Sequence, residues 1–289
     1  ITQIKNELNI LGIKPKKSLG HNFLINEGVY RKIVTALDIK TGDKILEVGP
    51  GLGTLTQYLA DTGAEIVAVE KDDVLAGYLL QKFNTKKNVK IVGDDILKFN
   101  PETCSLKPVT YKVVGNIPYY LTSHLLRTVF EKWPRPELIV LMIQKEVAQR
   151  IVAKPPHMSL LAVSIQYYAQ PKIISYVSHG NFYPPPEVDS ALIRLMPRLQ
   201  VTGYRLRGEG GNKKPETWTL KPDAFFRVVR TGFAGKRKQL GNNLARGLKL
   251  EKNFVEEKLQ SIGIDSKRRA ETITLGEWGK LANTLPPPD

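Results

Sequence analysis

Short apolar runs alternate with amphipathic stretches along the first two-thirds of the chain. The runs fall at residues 44–48, 65–70, 89–92, 111–115 and 137–143. Between them, residues 54–61, 73–83 and 121–132 carry apolar side chains at helical spacing. Runs this short, separated by helices, predict a parallel sheet covered on both faces. A helix is expected over 27–37, and further helices over 144–153 and 159–168. Residues 172–177 and 190–196 read as two more strands that close the sheet as an antiparallel pair. The Pro184-Pro185-Pro186 run between them is not regular ladder, because proline offers no N–H donor. Residues 1–20 read as a short helix followed by an extended basic arm.

The pattern changes near Pro197. Residues 199–221 hold Gly203, Gly208, Gly210, Gly211 and Pro215 among many charges, the texture of a linker or insertion. After it, residues 222–233, 239–246, 250–261 and 274–285 show only helical periodicity, which suits a small all-α domain. The expected division is therefore 1–198, with its arm at 1–20, and 199–289.

Composition narrows the partners. The 289 residues are 42% hydrophobic, enough for a sizeable core. No stretch approaches the ~18 uninterrupted apolar residues of a membrane span. No secretory signal opens the chain, where Lys5, Glu7 and Lys14-Pro15-Lys16-Lys17 interrupt any apolar run. One cysteine, Cys104, excludes a disulfide framework and a cysteine-based zinc site. Together these favour a cytoplasmic protein. The net charge of +15 points to a nucleic-acid backbone rather than an anionic membrane, since no basic amphipathic helix with bulky apolar anchors stands out. Basic residues cluster at 14–17, 227–238 and 267–269. His21, His124, His157 and His179 have no metal spacing and no carboxylate partner in sequence. All four are read as non-catalytic, and no metal is expected.

The candidate chemistry sits at strand ends. Glu47-Val48-Gly49-Pro50-Gly51-Leu52-Gly53 follows a strand and opens a helix, so a ligand can approach the backbone closely at Gly49 and Gly51. The spacing is not that of the dinucleotide fingerprint, because Thr54 follows Gly53. The next strand ends in Glu70, placed to take two ribose hydroxyls. The third ends near Asp94-Asp95-Ile96, where a carboxylate can accept from an adenine amine and Ile96 can pack on the ring. Three such features on successive strands describe an adenosine-bearing cofactor without a pyrophosphate clamp, which is S-adenosylmethionine. Gly115-Asn116-Ile117-Pro118-Tyr119-Tyr120 then ends a fourth strand with an amide, a rigid proline and an aromatic ring. That set can hold a flat base by its amino group and stack on its face. Phe182 suits either the second face of such a sandwich or a hydrophobic plug beneath Pro184.

The same motifs resemble the rRNA adenine N6-dimethyltransferases, the KsgA family, with the Erm methylases as relatives. The resemblance spans nearly the whole chain. It rests on Lys16 to Leu24, Glu47 to Gly53, Gly115 to Tyr119, Gln144 to Arg150 and Phe182 to Ser190. Lys236 to Leu244 and Arg269 to Thr272 resemble the KsgA branch rather than Erm. The resemblance implies a Rossmann-like fold with a seven-stranded, mostly parallel sheet and a helical C-terminal domain that docks on the small ribosomal subunit. It implies that Asn22 and Leu24 contact the cofactor, that Gly49 lies under its methionine part, and that Asn116 borders the methyl. Glu70 and Asp95 take the ribose and the adenine amine. The implied substrate is a pair of adjacent adenines near the 3′ end of small-subunit rRNA, each methylated twice, within a pre-ribosomal particle and by a monomer. His21 stands where the family usually has Gln. Two other readings remain open: an assembly factor with secondary or lost catalysis, and an Erm-type enzyme acting on large-subunit rRNA.

Overall fold

Every apolar run identified above becomes a strand, because a parallel sheet buried on both faces needs continuous apolar sequence. The computed structural model describes residues 2–15, 20–198, 204–205, 217–218, 222–235 and 237–286. Lys16 and Lys17 of the basic arm, most of the expected linker over 199–221, Lys236 and the closing Pro287 and Pro288 lie outside these residues. In chain order the first elements are α1 (Thr2–Ile10), β1 (Phe23–Leu24), α2 (Glu27–Leu37), β2 (Lys44–Val48) and α3 (Thr54–Ala60). There follow β3 (Glu65–Glu70), α4 (Asp73–Lys82), β4 (Val89–Gly93), β5 (Tyr111–Asn116), α5 (Thr122–Glu131) and β6 (Leu138–Gln144). Then come α6 (Lys145–Ile151), α7 (Leu160–Tyr168), β7 (Ala169–Val177), β8 (Phe182–Tyr183) and β9 (Ser190–Pro197).

The main sheet has seven strands in the order β4-β3-β2-β5-β6-β9-β7. The first five are parallel, and β9 runs antiparallel to β6 with Leu141 opposite Ile193. The later of the two closing strands thus takes the inner place, an order that local pattern does not encode. A core of Ile33, Leu37, Ile45, Leu59, Val114 and Val140 fills one side of this sheet. The chain runs outward from β2 to β4, then returns to β5 on the other flank of β2. A crevice therefore opens beyond the carboxyl ends of β2 and β5, where the strand order reverses.

The opposite end of the sheet is locked by a buried cation. Lys112 on β5, its side chain 4% exposed, donates to the Asp38 carbonyl and to Asp43 Oδ2, each at 2.7 Å. Burial pushes the Asp43 carboxyl up, but the Lys112 ammonium and the Lys40 N–H outweigh it and hold the carboxyl below its usual range. The stabilisation from this pair is complete above the unfolded-state value of aspartate, about 3.9, and is lost as pH falls through the lowered folded value. Asp43→Asn is expected to cost about 3 kcal/mol near neutral pH. That is the low end for breaking a buried pair, because Asp43 is itself partly exposed. Urea melts at falling pH check this: the gap between wild type and variant should close in acid.

By its contacts the chain forms two units, Ile1–Gln149 with Gln170–Pro197, and Arg150–Ala169 with Arg198–Asp289. The boundary anticipated near residue 198 thus leaves out one segment, since residues 150–169 pack with the helical unit. A short antiparallel pair, β10 (Tyr204–Arg205) with β11 (Thr217–Trp218), lies within the stretch read as linker. The helical unit contains α8 (Pro222–Gly232), α9 (Leu240–Leu248), α10 (Lys252–Ser261) and α11 (Leu275–Thr284). Its core is Trp278 with Phe225, Leu244 and Leu259, and Tyr167 of α7 stacks on Phe225 at 4.4 Å. Thr274 and Glu277 form a capping box on α11, and Glu277 also receives Arg268 Nη1 at 2.6 Å. Arg268 and Arg227 are thus engaged within the fold, Arg227 donating to the Pro286 carbonyl. Arg230, Arg237, Lys238, Lys267 and Arg269 stay exposed.

Candidate active site

The glycine turn after β2 forms as its sequence requires. Gly49, Gly51 and Gly53 have φ of +64°, +59° and +76°, the left-handed region that L side chains rarely adopt. A Cβ at Gly49 would meet nothing within 4 Å, so backbone conformation sets the requirement there and leaves an open face toward a ligand. Lys82 of α4 donates to the Leu52 carbonyl at 2.7 Å and closes the far side of the turn.

Two buried carboxylates face the crevice. Glu70 ends β3 and accepts from Gly51 N at 3.0 Å through one oxygen, and from Lys71 N and Asp72 N at 2.8 and 2.9 Å through the other. The glycine turn and the start of α4 are therefore both pinned on this side chain, and Asp72 in turn caps α4 by accepting from Val74 N and Leu75 N. Burial pushes the Glu70 carboxyl up, and the three N–H groups hold back only part of that rise. Glu47 on β2 is 1% exposed, and its Oε2 has no partner among the described residues. Burial, reinforced by the charge of Glu70, pushes its carboxyl up to about 8. At the end of β4, Asp95 Oδ1 accepts from Leu97 N at 3.0 Å and Oδ2 receives the Lys71 ammonium at 2.8 Å. Lys71 holds the Asp95 carboxyl below its usual range. Ile96 beside it is buried.

The end of β5 is tied to the N-terminal arm. Asn116 Nδ2 donates to the Asn22 carbonyl at 2.9 Å. That bond orients the amide and leaves Oδ1 as an acceptor, to which no group among the described residues donates. The arm is anchored on each side of this contact. Tyr30 donates to the Leu24 carbonyl at 2.7 Å, and β1 pairs with β8, Leu24 opposite Phe182. Gly20, at φ +66°, packs so closely that a Cβ there would lie 2.4 Å from Pro118 Cβ, so only glycine fits.

Every residue anticipated to bind the cofactor lines one cavity at the crevice, and Pro118 joins them. Ile117, Tyr119 and Phe182 are not part of that lining. Ile117 is 2% exposed, its side chain turned into the core. Tyr119 is half-buried, and its hydroxyl meets Ser190 Oγ at 2.8 Å. Tyr120 takes the rim, 58% exposed. Phe182 departs from the base-facing role: pairing of β8 with β1 draws its ring into the sheet core, where it is 3% exposed. Glu47 and Lys71 line the cavity without having been singled out in sequence. The signal for Glu47 was an acidic residue inside an otherwise apolar strand. His179, read as lacking a carboxylate, has one: Asp189 lies 3.0 Å from its Nδ1, brought there by the loop between β7 and β9.

The cavity fits a cationic adenosine derivative. Two buried acidic side chains face it, and a ligand ammonium beside the orphaned Glu47 oxygen would draw that carboxyl into its charged form, while the open face at Gly49 admits a chain close to the backbone. Among the described residues no three His, Cys, Asp or Glu side chains are placed to hold a metal, and no helix is long and apolar enough to cross a membrane.

Residues 12–206 match the family model described as ribosomal RNA adenine dimethylase. The chain is 42% identical over 282 residues to a ribosomal RNA small subunit methyltransferase A of Dehalococcoides mccartyi, covering 97% of this chain and 92% of that protein. Among solved structures it is similar to the 23S rRNA methyltransferase ErmE, with a TM-score of 0.70 and 26% identity over 91% of this chain and 99% of that one. A dimethyladenosine transferase from Plasmodium falciparum shares the fold, with a TM-score of 0.73 at 23% identity over 90% of this chain and 95% of that one.

Proposed function

The chain belongs to the ribosomal RNA adenine dimethylase family, and we propose that it transfers methyl groups from S-adenosylmethionine to N6 of adenines in small-subunit rRNA. The reading extends to two adjacent adenines near the 3′ end, presented by a maturing small subunit to a cytoplasmic, monomeric enzyme. The observation that carries it is the Asn116 amide, oriented by the Asn22 carbonyl so that its acceptor oxygen remains for a substrate amine at the cofactor cavity.

The residues suit the chemistry. The N6 lone pair of adenine is delocalised into the ring, so the amine is a poor nucleophile. Asn116 Oδ1 and the Ile117 carbonyl accept its two hydrogens and hold it pyramidal, with the lone pair turned out of the ring plane. S-adenosylmethionine supplies the electrophile, a sulfonium methyl. Glu70 holds the ribose, Asp95 the adenine amine and Glu47 the ammonium end. Positioning and exclusion of water then carry most of the acceleration, with no tuned general base. Pro118 fixes the backbone between Asn116 and Tyr119. Tyr119, its hydroxyl anchored on Ser190, offers its ring to the base. Stacking there returns about 1–3 kcal/mol of the cost of turning the base out of its RNA. The exposed Arg230, Arg237, Lys238, Lys267 and Arg269 suit contact with phosphates.

The test is labelled methyl transfer to small and large subunits that lack the modification, followed by mass-spectrometric mapping. Dimethyladenosine in the small subunit alone is the expected product. Label in the large subunit would favour the Erm-type reading, which the likeness to ErmE keeps in view. Binding without any label would leave only an assembly factor.

A further inference from the structure

The geometry points to Lys71 as a positioning residue for the cofactor, an internal competitor for the Asp95 carboxylate that weakens adenine binding and speeds cofactor exchange. The inference rests on the reading that Asp95 accepts the adenine amine. Lys71 follows Glu70 at the end of β3. Its own N–H is fixed on Glu70 Oε1 at 2.8 Å, while its side chain, 59% exposed, reaches across the mouth of the cavity to Asp95 Oδ2 at 2.8 Å. Both residues line the cavity. The other oxygen of Asp95 already accepts from Leu97 N. The acceptor meant for a neutral amine is thus held by a full positive charge.

Two consequences follow from the chemistry. A carboxylate paired with an ammonium is a poorer acceptor for an uncharged N–H, and Lys71 repels a ligand that is itself a cation. As adenine leaves, Lys71 recaptures Asp95, so departure of spent cofactor does not strand a desolvated charge. An enzyme that methylates one amine twice must exchange its cofactor between transfers, and product release often limits such cycles. The pair is exposed at its lysine end, so its influence is modest rather than decisive.

Calorimetry and stopped-flow dissociation with S-adenosylmethionine and S-adenosylhomocysteine test this on Lys71→Met, Asp95→Ala and the double variant. Lys71→Met should bind both ligands about two- to fivefold more tightly, chiefly through slower release, as expected for loss of a weak exposed ion pair. The gain should vanish in the Asp95→Ala background, and Lys71→Arg should behave as wild type. Unchanged or weaker binding by Lys71→Met, with Asp95→Ala still weakened, would overturn the role of Lys71 alone. An equal gain in the absence of Asp95 would reduce it to general charge repulsion and also overturn it. Unaltered binding by Asp95→Ala would remove the underlying assignment of Asp95.

Discussion

Asn116→Ala is expected to lower methyl transfer by about 100-fold or more while cofactor affinity changes only severalfold, the signature of lost orientation rather than lost binding. The loss follows from the direction of one amide. Asn116 Nδ2 donates to the Asn22 carbonyl, which sets which way the side chain faces and leaves Oδ1 for the substrate amine. Alanine removes the acceptor and the tether together. The amine then relaxes toward the ring plane, its lone pair is delocalised again, and the arm loses its side-chain hydrogen bond to the end of β5, keeping the packing of Gly20 on Pro118. Single-turnover transfer to small subunits, measured beside calorimetry of cofactor binding, separates the two effects. Turnover close to wild type would refute the role given to Asn116. A loss confined to cofactor affinity would move Asn116 from substrate orientation to cofactor binding alone.

That tether shows where sequence reasoning stops. Asn116 was legible as a candidate because an Asn-Ile-Pro-Tyr segment ends a strand next to the cofactor turn, and it does line the cavity. Its orientation was not, since Asn22 lies 94 residues away and only the folded arm brings its carbonyl near. The glycine turn was legible for the opposite reason: left-handed backbone leaves almost no choice of residue, so Gly49, Gly51 and Gly53 announce their conformation. The strands were legible as apolar runs, but the insertion of β9 between β6 and β7 was not, because an apolar run does not name the strand it pairs with. Helix α7 shows the same limit, since an apolar stripe states that a face is buried without stating against which unit. Phe182 was ambiguous in sequence, and pairing of its strand with β1 decided for burial. His179 and Asp189 are ten residues apart across a loop, a separation at which spacing carries no contact information.

Glu70→Ala is expected to weaken S-adenosylmethionine binding by roughly 100-fold or more. Hydrogen bonds to a charged group are worth about 1.5–3 kcal/mol each, two ribose hydroxyls lose their acceptor, and every 1.4 kcal/mol is tenfold in affinity. The structure adds a second loss. Gly51 N, Lys71 N and Asp72 N all converge on this carboxylate, so removing it also leaves the cofactor turn and the segment leading into α4 without their common acceptor. The glycine turn that lines the cavity is then no longer held in place. Glu70→Gln probes the two losses separately. It keeps one oxygen for Lys71 N and Asp72 N, but presents an amide donor to Gly51 N, so the entry to α4 stays held while the glycine turn is pushed away. Its affinity should therefore fall between wild type and Glu70→Ala, although the shape of the side chain is unchanged. Thermal unfolding with and without cofactor gives an independent readout, because a ligand stabilises only the form that binds it. Wild type should gain in melting temperature on adding S-adenosylmethionine, and Glu70→Ala should not. Equal gains in the two proteins would mean that the ribose is held elsewhere, and that Glu70 serves only to fasten the turn to α4.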